Sequence, residues 1–207
     1  MAKPTAAAAN DTPDLDMRAG RFMRSAFDIL GETGRTDFTV VEVVERSKTS
    51  LRAFYQHFST KDDLVLALID RMLTEFTTMW QVESSGLDPA AALRLLVDRI
   101  YLPAESATQD SINRGLTFYH DRLAEIMADD YARVLTPLHA IICDIIRRGI
   151  DTGTFDPGLD VEITAALVMQ TIFGAMRLRV LGAGLNIGTI GSDRIYAFCL
   201  CALESEP

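Results

Sequence analysis

The sequence predicts an all-α protein, with an N-terminal three-helix head of helix-turn-helix type and a larger helical body. Three observations carry this. Apolar residues recur at three- and four-residue spacing from Met17 onward, and no segment keeps the alternation of a half-buried strand. Two capping boxes, Thr39 with Glu42 and Thr60 with Asp63, open helices. Breaks rich in Gly or Pro separate the periodic segments at helix-length intervals.

Residues 1–16, with four consecutive alanines and two prolines, predict a disordered arm. Met17 to Thr33 is amphipathic through Phe22, Met23, Ala26, Phe27, Ile29 and Leu30, and Gly31 and Gly34 end it. The run VVEVVE after Thr39 has strand-like valines, but the capping box and the lack of a nearby partner strand favour a helix. Ser47-Lys48-Thr49 is a polar break. Ser50 then caps LRAFYQHF, with Leu51, Phe54 and Phe58 on one face. After Thr60 a long helix runs through Leu64, Leu68, Met72, Phe76 and Met79 or Trp80. Asp88-Pro89 opens a helix to about Tyr101, closed by Pro103. Further helices cover about 110–127, 129–151 (kinked or restarted near Pro137), 160–181 and 193–203. Gly153–Gly158 and GAGLNIGTIG are loops. The predicted domains are a head over 17–63 and a body over 64–207.

The net charge is −9 and the pI is near 4.8, but the charge is uneven. Residues 17–61 carry +3 and residues 62–207 carry −10. A basic head on an acidic body points to a polyanion met by the head and not by the body, with chance clustering of charge as the alternative. Apolar residues at 48% exclude wholesale disorder. The longest weakly polar stretch, Ile163 to Met176, falls short of the roughly 20 residues a membrane span needs. The N-terminus reads neither as a signal peptide nor as a transit peptide. Cys143, Cys199 and Cys201 sit in apolar helical patterns, as reduced core thiols of a cytoplasmic protein. G-x-S-x-G, HExxH and P-loop motifs are absent, and GAGLNIG follows a helix without the nucleotide-loop glycine spacing. Tyr119-His120-Asp121 has a titratable pair but no nucleophile. The expectation is no enzyme, no cofactor and no metal. His120 with Asp121 or Glu125 is the one metal alternative, and a helical adaptor is the alternative for the whole chain.

In a helix-turn-helix unit the second helix enters the major groove with its N-terminal residues at the base edges. Here those are Ser50-Leu51-Arg52-Ala53. Arg52 suits a guanine O6/N7 edge, or is a solvated surface base. Leu51 suits a thymine methyl, or staples the helix to the core. Tyr55, His57 and Lys61 are candidate phosphate contacts, as is Thr39 through its hydroxyl and helix N-terminus.

The stretch from Phe38 to Ile69 resembles the DNA-binding signature of the TetR family of bacterial transcriptional repressors. Thr39, Val40, Ser50, Phe54, Tyr55, His57, Phe58, Thr60, Lys61, Asp62 and Leu64 match it without a gap. A weaker likeness lies in RRGIDTGTFDPGLDVEITAALVMQTIFGAMRL. The resemblance implies double-stranded DNA with a palindromic operator as partner. It implies phosphate contact or capping by Thr39, Ser50, Tyr55, His57 and Lys61, and base contact by Arg52 and Ala53. Two departures stand out. The family's Ala-Gly-Val turn is Ser47-Lys48-Thr49, so a left-handed Lys48 costs roughly 1 kcal/mol. The family's Gly-Thr is Arg52-Ala53, which changes the base-reading positions.

One head reads too few bases, so two must bind together, about 34–36 Å apart. The helix of about 160–181 is apolar on more than one side and needs burial on two fronts. A homodimer through the last two helices, with Ile163, Leu167, Gln170, Met176, Ile195 and Cys199 at the interface, satisfies this; one monomeric core is the alternative. The resemblance also implies a small-molecule site in the body, and a candidate lining with few polar groups favours an apolar effector. Candidate wall residues are Phe76, Met79, Trp80, Tyr101, Phe118, Tyr119, His120, Leu138, Ile142 and Phe173; plain core is the alternative for each. Arg177 and Arg179 are candidates for an acidic head group or for ion pairs.

Overall fold

The computed structural model describes residues 12–101, 106–185 and 190–204, and all its regular elements are helices. They are α1 (Thr12–Thr33), α2 (Val40–Arg46), α3 (Leu51–Tyr55), α4 (Lys61–Glu83), α5 (Pro89–Tyr101), α6 (Ala107–Ile126), α7 (Ala128–Asp151), α8 (Val161–Leu185) and α9 (Ser192–Cys201). The valine-rich segment is α2, as its capping box requires.

Differences from expectation lie at the ends and at the prolines and glycines. α1 begins at Thr12, so residues 12–16 are helical and not part of an arm; residues 1–11 lie outside the described residues. Pro13 falls in the first turn, where a missing backbone N–H costs a helix nothing. Gly31 is inside α1, and Gly34, at φ 64°, stops it. α7 runs unbroken through Pro137, whose ring is on the exposed side while Val134, Leu135, Leu138 and Ile142 anchor the opposite face. α8 continues to Leu185 and takes the first residues of the expected Gly-rich loop; 186–189, like Pro103, lie outside the described residues.

Two compact units form. The first contains the described residues up to Ile69 together with Ser106–Gly115. Its core is aromatic: Phe22 meets Phe54 edge-on at 5.4 Å and Phe58 at 6.4 Å, with Leu30, Val43 and Leu64 fully buried around them. The second contains the rest of α4 and α6 with α5, α7, α8 and α9. There α7 packs along α8 and α5 packs on α7 and α9, enclosing Leu93, Leu96, Leu123, Ile142, Ile145 and Ile172.

α8 corrects one expectation. Its stretch Val161–Arg179 is long and apolar enough to pass as a membrane span by length and composition. Ala165, Val168, Met169, Ile172 and Ala175 are buried in the second unit, whereas Ile163, Leu167, Leu178 and Leu181 are exposed.

Candidate functional site

The helix-turn-helix is built by caps. Thr39 accepts from the Glu42 N–H at 3.2 Å, and the Glu42 carboxylate accepts from the Thr39 N–H at 2.6 Å. These bonds, led by the Thr39 N–H, hold the Glu42 carboxyl below its usual range. At the other end of α2, Lys48 is left-handed at φ 53°. Its N–H donates to the Glu45 carbonyl at 3.2 Å and the Thr49 N–H donates to Val44 at 3.1 Å, which is a complete Schellman motif. Buried Ser47 donates to Val44 O, and Arg21 donates to Ser47 O at 3.2 Å, tying the turn to α1. Ser50 then accepts from Ala53 N–H at 3.2 Å and starts α3.

The eight residues predicted for DNA divide into two groups. Leu51, Arg52 and Tyr55 are exposed on α3, with Ala53 half-buried beside them. Thr39 and Ser50 are caps at exposed helix N-termini. His57 and Lys61 are built into the first unit. The His57 ring lies 5.9 Å from Phe22, and its Nε2 is buried without a hydrogen-bond partner among the described residues. The Lys61 ammonium donates to Thr36 O at 2.8 Å and lies 5.2 Å from the Phe38 ring centre.

Of the predicted wall residues in the second unit, some are brought together. His120 stacks on Phe173 at 5.6 Å, and Phe76 on Trp80 at 6.4 Å. Tyr101 and Tyr119 are buried, and the Tyr101 hydroxyl donates to Ile190 O at 2.8 Å. Leu138 and Ile142 are core of α7. Met79 and Phe118 are 54% and 42% exposed, so they line no interior. The Tyr131 hydroxyl shares a 2.7 Å hydrogen bond with His120 Nδ1. Burial pushes His120 down to about 4 and Tyr131 up to about 12, so the pair is uncharged at neutral pH. Arg177 donates to Asp121 at 2.5 Å, while its Nε is buried without a partner among the described residues. Arg179 stacks over Tyr101. Sequence reasoning missed Tyr131, eleven residues from His120 across a helix boundary. It also missed His139, Cys143 and Glu162, whose donor atoms lie within 4.8 Å of one another.

The predicted interface residues also divide. Ile163 and Leu167 are 61% and 63% exposed, Gln170 is exposed and Met176 is half-buried. Ile195 and Cys199 are buried within the protomer, and Phe198 is an exposed large apolar residue of α9.

Comparison with known proteins agrees with this architecture. The profile described as "Bacterial regulatory proteins, tetR family" matches residues 22–68. The HTH-type transcriptional repressor KstR2 of Rhodococcus jostii is 22% identical over 89% of this chain and 91% of its own. A TetR transcription regulator from Haloarcula marismortui has the same fold at TM-score 0.71, with 23% identity over 92% of this chain and all of its own. FadR of Bacillus subtilis, solved with stearoyl-CoA, superposes at TM-score 0.67 with 16% identity, over 90% of this chain and 97% of its own. The helix-turn-helix segment thus matches the tetR-family profile, and the fold of the whole chain is that of TetR-type transcription regulators.

Proposed function

We propose that this regulator is a repressor that binds a palindromic operator as a homodimer and leaves it when a small, largely apolar effector occupies the second unit. The observation that carries the DNA half is the exposed N-terminal turn of α3, where Leu51 and Arg52 project from a helix whose caps and turn are fully bonded. The dimer half rests on the exposed apolar residues of α8, Ile163, Leu167, Leu178 and Leu181, together with exposed Phe198 on α9. Such residues suit the same surface of a second copy.

The effector reading rests on the His120, Tyr131 and Phe173 cluster. A neutral hydrogen-bonding pair beside an aromatic face suits an apolar molecule with one polar group. Among the structural neighbours, FadR of Bacillus subtilis was solved in complex with stearoyl-CoA. α4 contributes to both units and is the continuous helix through which effector binding reaches the head. A coupling of about 1–3 kcal/mol lowers operator affinity 5- to 150-fold.

The test is fluorescence anisotropy on duplex DNA from upstream of the protein's own gene, titrated with salt and with scrambled competitor. Tight, salt-sensitive binding that survives the competitor supports the reading. No binding at low salt to this DNA or to a random-sequence pool overturns it.

A further inference from the structure

α7 places His139 and Cys143 one turn apart on the same face, and the first turn of α8 brings Glu162 against them. Three donor atoms converge. Cys143 Sγ lies 3.7 Å from His139 Nδ1 and 3.2 Å from Glu162 Oε2, and His139 Nδ1 lies 3.8 Å from Glu162 Oε2. Tetrahedral zinc bonds of about 2.0–2.3 Å to N, O and S imply ligand–ligand edges of about 3.4–3.6 Å. The observed edges are within about half an ångström of these, but Sγ is nearly as close to His139 Nε2, at 3.9 Å, so the imidazole must turn for Nδ1 to aim at an ion held by the thiol.

The surroundings set which donor atoms are free to ligate. His139 Nε2 lies 3.0 Å from the Glu162 backbone carbonyl, which can only accept, so that nitrogen carries the proton and Nδ1 presents its lone pair. A ring N–H given to a backbone carbonyl is the outer-shell arrangement of metal-bound histidines. Arg147 is hydrogen-bonded to Glu162 Oε1, which leaves Oε2 facing the thiol and the imidazole. Cys143 is buried, His139 is half-buried and Glu162 is 60% exposed, so the triangle opens to solvent at the carboxylate edge. That edge admits an ion and a water as fourth ligand.

We propose that His139, Cys143 and Glu162 form a binding site for a single transition-metal ion of zinc type that clamps the start of α8 to α7. The mixed N, S and O set selects a borderline ion; Mg2+ and Ca2+ take oxygen ligands. The site stands apart from the His120 cluster in its residues and does not depend on the proposed effector.

The competing arrangement is a plain hydrogen bond from the Cys143 thiol to Glu162. Full-length protein, stripped with a chelator under a non-thiol reductant, is titrated with Co2+ and followed by thiolate-to-metal charge-transfer absorption. The expected result is one Co2+ per chain, displaced by Zn2+, with the band lost in Cys143→Ser and kept in Cys201→Ser. Because Cys143 is buried, His139→Gln and Glu162→Gln provide the second check. Each weakens Co2+ binding at least about tenfold, since even outer-shell partners are worth that much. Zn2+ also raises the melting temperature of the parent and not of Glu162→Gln. No charge-transfer band in the parent, a band that survives Cys143→Ser, or unchanged affinity in both Gln variants overturns the site.

Discussion

The ring of Phe155 stands where a side chain on Gly149 would be: a Cβ built on Gly149 meets Phe155 Cδ2 at 1.9 Å. The Thr154 and Phe155 N–H groups both donate to the Gly149 carbonyl, at 2.8 and 3.0 Å, which folds the ring back onto the last turn of α7. Phe155 is buried and cannot swing into solvent. Gly149→Ala is therefore expected to cost about 1–3 kcal/mol or more, the range for overpacking a core. Urea denaturation of parent and variant checks this, and an unchanged midpoint contradicts it.

Lys48 after α2 and Gly153 after α7 occupy equivalent left-handed positions, at φ 53° and 72°. In each the following residue closes a Schellman bond, Thr49 N–H to Val44 O and Thr154 N–H to Gly149 O. Glycine adopts this conformation without Cβ strain, whereas lysine does not. Lys48→Gly is expected to stabilise the protein by up to about 0.5 kcal/mol, the strain relieved less the extra chain entropy of glycine. Differential scanning calorimetry reads the rise in melting temperature; a fall means the lysine conformation carries no strain.

Arg52 and Lys61 separate when both stability and DNA affinity are measured. Arg52 is exposed on α3, so Arg52→Ala leaves the melting temperature alone and costs about 1–3 kcal/mol of binding with relaxed preference at one base. The Lys61 ammonium bonds Thr36 O, so Lys61→Ala loses about 1 kcal/mol of stability through that bond. Equal thermal effects from the two variants contradict this division.

His120 makes the second unit acid-sensitive. Its folded pKa is about 4, below the ordinary 6.5, because burial disfavours the charged ring; Asp121 and Arg177 act in opposite directions on it. The unfolded chain takes the proton first as pH falls. Stability is complete above about 6.5 and declines toward about 4, by up to about 3 kcal/mol. His120→Gln keeps an acceptor for Tyr131 without titrating. Its denaturation midpoint is expected to change less between pH 7 and pH 5 than the parent's.

By itself the sequence determined the helices and the recognition turn. The capping boxes at Thr39 and Thr60 and the Ser50 cap are local, each needing only residues three positions apart, and all three form. The strained Lys48 was legible for the same reason, since a left-handed residue is set by its own turn. Helix ends were less legible: α1 and α8 overrun because extra turns are decided by packing and by permissive residues, not by periodicity. What only the tertiary structure decided is which of two chemically equal residues faces inward. Trp80 is buried and Met79 exposed, and Cys199 is buried while Phe198 lies outside. It also decided the contacts that join separate helices, such as Tyr131 with His120 and Glu162 with His139 and Cys143. Spacing along one helix fixes i and i+4 neighbours, but the partner from the next helix is set by how the two pack.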